Sequence, residues 1–140
     1  MTEPQIFVRV AVNDEQQLIK DFVEKSRVEA SAYRGHMDFR PPATSDEEVT
    51  FVAGVGNTIF GALSAYDAGL GRWFIDLLYV VPEAREIGIG NELVQFALVE
   101  LRSRQAKSIN AAALPGDRST KNLFERHGLV AQMITVGKQL

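Results

Sequence analysis

At 140 residues and 46% hydrophobic composition, the chain is long and apolar enough for a core of its own, and residues 1–140 read as one domain. It has no cysteine, which excludes thiol catalysis, disulfides and thiolate metal ligation, and its two histidines, His36 and His127, are too few for a zinc site, so no metal is expected. A net charge of -3 with scattered Lys and Arg speaks against a nucleic-acid partner. With no basic leader and no run near the roughly 20 apolar residues of a membrane span, a cytoplasmic protein without a membrane partner is expected.

Residues 6–12 alternate as a strand, with Phe7 and Arg9 on one face and Ile6, Val8 and Val10 on the other, which suits a sheet edge. Asn13 or Asp14 is placed to cap a helix running to about Ala32, whose buried stripe is Leu18, Ile19, Phe22 and Val23. Residues 34–48 have no period and a Pro pair, so they read as a loop with a short helical turn near Ser45, of a length that suits a substrate lid. Residues 49–55 and 58–66 are strand-like runs joined by Gly56 and Asn57, a tight hairpin signal. A second turn at residues 67–71 leads into the next strand and completes an antiparallel meander.

Residues 73–101 organise the rest. Residues 74–81 are almost all β-branched, aromatic or leucine, interrupted by Asp76, and Pro82 ends the run. From Gly90 the period changes, and Leu93, Val94, Ala97, Leu98 and Leu101 mark one buried helical face. Between the two lies a glycine turn whose backbone N–H groups, with the helix N-terminus behind them, suit an anion and above all a phosphate. Residues 108–114 form a short apolar strand. Asp117 is placed to cap a last helix, Gly128 to end it in a left-handed conformation, and residues 129–136 to form a final strand or hairpin.

Leu78, Val80, Pro82, Arg85, Gly88 and Gly90, at these spacings between a strand and a helix, resemble the signature of the GNAT superfamily of acetyl-coenzyme A-dependent N-acetyltransferases. Residues 121–129, KNLFERHGL, resemble that family's ending of the next helix. The resemblance implies an α/β (α+β) fold with a mixed, mostly antiparallel central sheet of six to seven strands flanked by about four helices. It also implies direct transfer of an acetyl group from acetyl-coenzyme A to a primary amine of a small molecule or peptide. By the same resemblance, the pantetheine arm lies along Leu78 and Val80, and the pyrophosphate rests on the N–H groups of Ile87, Gly88, Ile89, Gly90 and Asn91. Arg85 is a cofactor contact by the same resemblance, against a cap for the turn; Lys121 is a candidate to reach the cofactor, against a solvated surface lysine; and Phe124 is a candidate to pack against the pantetheine or acetyl end, against plain core.

Phe124 stands where the family often has a tyrosine that protonates the leaving thiolate, and a phenyl ring cannot do so. Asp76, the one carboxylate in the central strand, is then the first candidate for a base or for holding the substrate ammonium, against a plain strand-end ion pair. Tyr79 is the candidate to replace the missing phenol, against a core aromatic. Simple alternation puts Phe74, Asp76 and Leu78 on the face opposite Tyr79. Glu86 is a second departure, a carboxylate where the family commonly has a small or basic residue. A non-catalytic acyl-coenzyme A binding module is the competing reading, and the apolar C-terminal strand allows a homodimer. An enzyme acetylating aminoacyl-tRNA is disfavoured by the acidic composition.

Overall fold

The computed structural model describes residues 5–36 and 38–140. In chain order they form β1 (Ile6–Val10), α1 (Gln16–Ala30), β2 (Glu48–Val55), β3 (Thr58–Asp67), β4 (Arg72–Val80), α2 (Ile89–Ser103), β5 (Ser108–Asn110) and α3 (Arg118–Arg126), with single 3-10 turns at Asn13–Glu15 and Pro82–Ala84. The strands lie side by side in sequence order. β1 to β4 are antiparallel, β1 reaching β2 through α1 and the loop after it and short turns joining β2 to β3 and β3 to β4, and β5 runs parallel to β4 because α2 carries the chain back across the sheet.

The sheet separates two apolar clusters. On one face α2 and α3 lay Ile89, Leu93, Val94, Ala97, Leu101 and Phe124 against Val49, Phe51, Leu63, Ala65, Trp73 and Ile75. On the other, α1 contributes Phe22, which packs with Val52, Ala62, Leu77 and Tyr79. Of the stripe expected on α1, Phe22 is buried, Leu18 and Ile19 pack partly, and Val23 faces solvent. The helix start also differs from expectation. Glu15, rather than Asn13 or Asp14, accepts from the Val12 N–H at 2.9 Å, and its carboxylate is held by the fork of Arg9 at 2.8 and 2.6 Å.

Five strands and three α-helices are formed among the described residues, fewer than the six to seven strands and about four helices expected. The missing strand is residues 129–136, which follow α3 without a ladder. β-branched residues favour a strand only where an edge receives them, and here none of their own sheet does. No helical turn forms near Ser45. Instead the Ser45 hydroxyl donates to Asp67 Oδ2 at 2.9 Å and accepts from the Glu47 N–H, so side-chain bonds fix the loop.

One irregularity changes the face assignment in β4. Ser64 pairs with Leu77 and Ala65 with Ile75, which leaves Asp76 as an extra, unpaired residue. Such a bulge reverses the alternation beyond it. Trp73, Ile75, Leu78 and Val80 consequently line the α2 face, whereas Leu77 and Tyr79 join the α1 face. The expectation that Phe74 and Leu78 share a side is therefore corrected: Phe74 packs at a tilt against Tyr66 across the pair, on the α1 side of the sheet.

Candidate active site

β4 and β5 pair only through Arg72 with Ser108, Trp73 with Ile109 and Phe74 with Asn110. Beyond Phe74, among the described residues, no strand lies beside the side of β4 turned away from β3. The Val81 N–H donates to the Phe60 carbonyl on the β3 side at 2.8 Å, so alternation directs the backbone groups of Leu78 and Val80 to the open side. An extended amide-bearing chain fits there as a further strand would.

The open edge runs into the turn. Gly88 is the N-cap of α2 with φ of 97°, a left-handed conformation that a side chain disfavours. The first helical bond is closed by the Glu92 N–H onto the Gly88 carbonyl at 3.1 Å, which leaves the N–H groups of Ile89, Gly90 and Asn91 ahead of the ladder. Gly90 lies under α3, where an added Cβ would meet Leu123 Cδ2 at 3.0 Å. One glycine serves conformation and the other closeness. The fit to a pyrophosphate rests on these backbone donors, with Ile87 exposed beside them.

Arg85 takes up a different post from a free phosphate ligand. Its Nε donates to the Val80 carbonyl at 2.8 Å, its Nη2 forks onto Glu29 of α1 at 2.6 and 2.7 Å, and its guanidinium lies over the Tyr79 ring at 5.6 Å. It fastens the end of β4 to α1. Lys121 is paired with Glu125 on the surface of α3. His127 Nε2 lies 3.2 Å from Asn91 Oδ1, a hydrogen bond when that nitrogen is protonated, and so links the end of α3 to the first turn of α2. Phe124 is buried in the larger core cluster.

Asp76 and Tyr79 share the α1 face but not their surroundings. The Asp76 carboxyl is raised above the usual carboxylate range, first by desolvation and further by Glu48, with its own backbone N–H and Arg40 opposing. It remains open to solvent on one side. Tyr79 is 5% exposed and sits 5.3 Å from the Phe22 ring. Burial, then Glu29, raises its phenol, which therefore stays protonated. Glu48 and Tyr66, both near enough to Asp76 to act on it through charge, line an open cavity of about 410 Å³ together with Ala43, Ser45, Asp46 and Glu47. The Tyr66 hydroxyl donates to the Pro41 carbonyl and holds the loop of residues 31–47 over the sheet. Three of the six lining residues are acidic.

A family model described as the acetyltransferase (GNAT) family matches residues 15–129. The chain belongs to that family, and it is an acyltransferase by class. No curated protein matches the sequence. Among solved structures, this acetyltransferase is similar to an aminoglycoside acetyltransferase, meta-AAC0020 from an uncultured soil metagenomic sample, solved with sisomicin. The two are 14% identical, with a TM-score of 0.71 over 96% of this chain and 95% of that one. Similar too are AAC(6')-Iy bound to a bisubstrate analogue of coenzyme A (14% identity, TM-score 0.67, 97% and 99% covered) and a putative acetyl transferase from Pyrococcus furiosus (18%, 0.72, 97% and 100%). At these identities the likeness is one of fold.

Glu29, Glu48 and Tyr66 were not singled out by sequence. Glu29 ends a surface helix 56 positions from Arg85, and nothing local marks the pair. Tyr66 and Glu48 sit opposite each other in the β2–β3 register, which is readable only once the hairpin is built.

Proposed function

We propose that the chain is a single acetyltransferase domain that moves an acetyl group from acetyl-coenzyme A to a primary amine of a cationic small molecule or peptide. The observation that carries this reading is the open backbone edge of β4 running directly into the glycine turn at the N-terminus of α2. The edge suits the amide-bearing arm of the donor and the turn suits its pyrophosphate. The thioester carbonyl then lies where the Val80 N–H can stabilise developing negative charge.

A neutral amine attacks that carbonyl, the C–S bond breaks, and the coenzyme leaves as a thiol once a proton reaches its sulfur. Asp76 is assigned to hold the incoming ammonium and accept its proton, directly or through water, a role that suits a carboxyl raised toward neutrality. Tyr79 is the remaining phenol of β4, and its packing under α1 fits support of the strand end better than delivery of a proton. The acidic cavity beside Asp76 favours acceptors with further positive charge. Acceptors of that kind include the aminoglycosides named for two of the similar structures. A cytoplasmic setting, with neither nucleic acid nor membrane as partner, goes with this reading.

Titration calorimetry with acetyl-coenzyme A, together with release of free thiol across a panel of amines, tests it. Binding with thiol release is the expected result, and absence of donor binding overturns the reading. Binding without release on any amine favours the second reading, a non-catalytic acyl-coenzyme A module. That alternative is motivated by Phe124, which puts a phenyl group in the core where a proton donor is expected.

A further inference from the structure

His127 and Asn91 lie 36 positions apart in the chain and meet beside the glycine turn. Leu123 and His127 are separated by one helical turn, so they share a face of α3. That face covers the start of α2: Leu123 Cδ2 stands 3.0 Å from a Cβ built on Gly90, and His127 Nε2 stands 3.2 Å from Asn91 Oδ1. His127 is the C-cap of α3, and Asn91 follows Ile89 and Gly90 in the first turn of α2. The imidazole therefore sits between two helix ends, the negative end of α3 and the positive end of α2. The first favours a protonated ring, and the second opposes it until an anion arrives.

The carboxamide of Asn91 has one end engaged and one end free. Nε2 of His127 donates to Oδ1 both in the neutral tautomer protonated there and in the imidazolium. With Oδ1 taken, the Nδ2 group is the end turned to solvent; Asn91 is exposed, and Nδ2 donates to no described residue. Asn91 thus adds two side-chain donors to the backbone N–H groups of Ile89, Gly90 and Asn91. A backbone cradle is indifferent to pH near neutrality, but an imidazole behind it is not. The other charged residues of the two helix ends are Glu86 and Glu92 on the α2 side and Glu125 and Arg126 on α3. Glu125 is paired with Lys121, the chain after His127 carries no charged side chain before Lys138, and none of these groups is bonded to the ring.

We propose that Asn91 and His127 act together as a proton-linked clamp on the diphosphate of the donor. His127 fixes the Asn91 carboxamide, whose Nδ2–H groups bond a diphosphate oxygen, and the bound anion favours the imidazolium, so the donor is taken up with a proton. The proposal rests on the reading of the turn as the site of that diphosphate. His127 is a positioning residue, because it acts through Asn91, and it makes donor affinity rather than the chemical step follow pH.

Titration calorimetry with acetyl-dephospho-coenzyme A tests the clamp, since that ligand keeps the diphosphate and lacks the 3′-phosphate, whose own proton comes off near about pH 6. The parent chain is expected to bind about 2- to 5-fold more tightly at about pH 6 than at about pH 8. His127→Gln keeps an amide donor at the place of Nε2 and has no proton to gain. It is expected to bind as the parent does at the higher pH, without pH dependence. Asn91→Ala is expected to bind more weakly than the parent at both. A parent without the slope, a slope that survives in His127→Gln, or an Asn91→Ala that binds like the parent overturns the proposal and leaves donor binding standing. No binding by the parent at either pH overturns the donor reading and the clamp with it. The parent alone supplies a second measurement if a variant does not fold. Its two histidines, His36 and His127, give resolvable ring signals in nuclear magnetic resonance, and His127 is expected to keep its proton to higher pH with the ligand bound. A His127 titration that the ligand does not move overturns the proposal.

Discussion

Gly88 is the position at which backbone conformation and donor binding are most closely joined. An alanine there meets only Ile6 Cδ1, at an ordinary 3.6 Å, so sterics with neighbours contribute little and the effect comes from φ of 97°. Holding a residue with a Cβ in that region costs roughly 1–2 kcal/mol. The stiffer unfolded chain returns about 0.4–1 kcal/mol. The balance, about 1 kcal/mol, corresponds to a fall in melting temperature of about 3–4 °C for a domain of this size. If the turn instead relaxes to negative φ, its N–H groups swing away from the anion. An effect of about 0.3–2 kcal/mol, roughly 2- to 30-fold in affinity for acetyl-coenzyme A, follows. Gly88→Asn is the control, since asparagine accepts the left-handed region better than alanine does. Thermal denaturation and titration calorimetry on the two variants measure both quantities. Gly88→Ala matching the parent in melting temperature and in affinity refutes the reasoning.

Asp76→Asn is expected to abolish most turnover while leaving stability at neutral pH unchanged or higher. A carboxyl raised on folding stabilises the native state as pH falls through its folded pKa and opposes it above; parental turnover in the variant removes Asp76 from the mechanism. Asp67 has the opposite sign. The Gly69 N–H and the Ser45 hydroxyl hold its carboxylate below the ordinary range, so its contribution is complete above the unfolded value of 3.8 and is lost as pH falls through the lower folded one. Urea titrations across acid pH are expected to show a shallower loss of stability for Asp67→Asn, and an unchanged slope contradicts this. Glu29→Gln and Arg85→Gln are expected to raise the KM for acetyl-coenzyme A in the same direction, with a stability change of only about 0.2–1 kcal/mol for a half-exposed pair. A silent Glu29→Gln beside an impaired Arg85→Gln shows that Arg85 acts alone. Phe22→Ala removes the one side chain that α1 buries fully and is expected to destabilise by about 3–5 kcal/mol, measured by denaturant unfolding; a change under about 1 kcal/mol contradicts the packing.

What the sequence by itself determined is what neighbouring residues decide among themselves. The change from strand to helical period placed β4 and α2. Gly56 and Asn57 placed the β2–β3 hairpin, Asp117 caps α3 through the Thr120 N–H at 3.2 Å, and Gly128 ends it with positive φ. Each of these is a property of a few consecutive residues, so composition and spacing suffice. Only the tertiary structure decided the rest. The extra residue at Asp76 belongs to a register between two strands, and without it alternation puts Phe74 and Leu78 on the same face. The strut from Glu29 to Arg85 joins residues far apart in the chain, and it turns an apparent phosphate ligand toward the end of β4. Residues 129–136 look like a strand and remain without one, because a ladder needs the second edge that local sequence cannot supply.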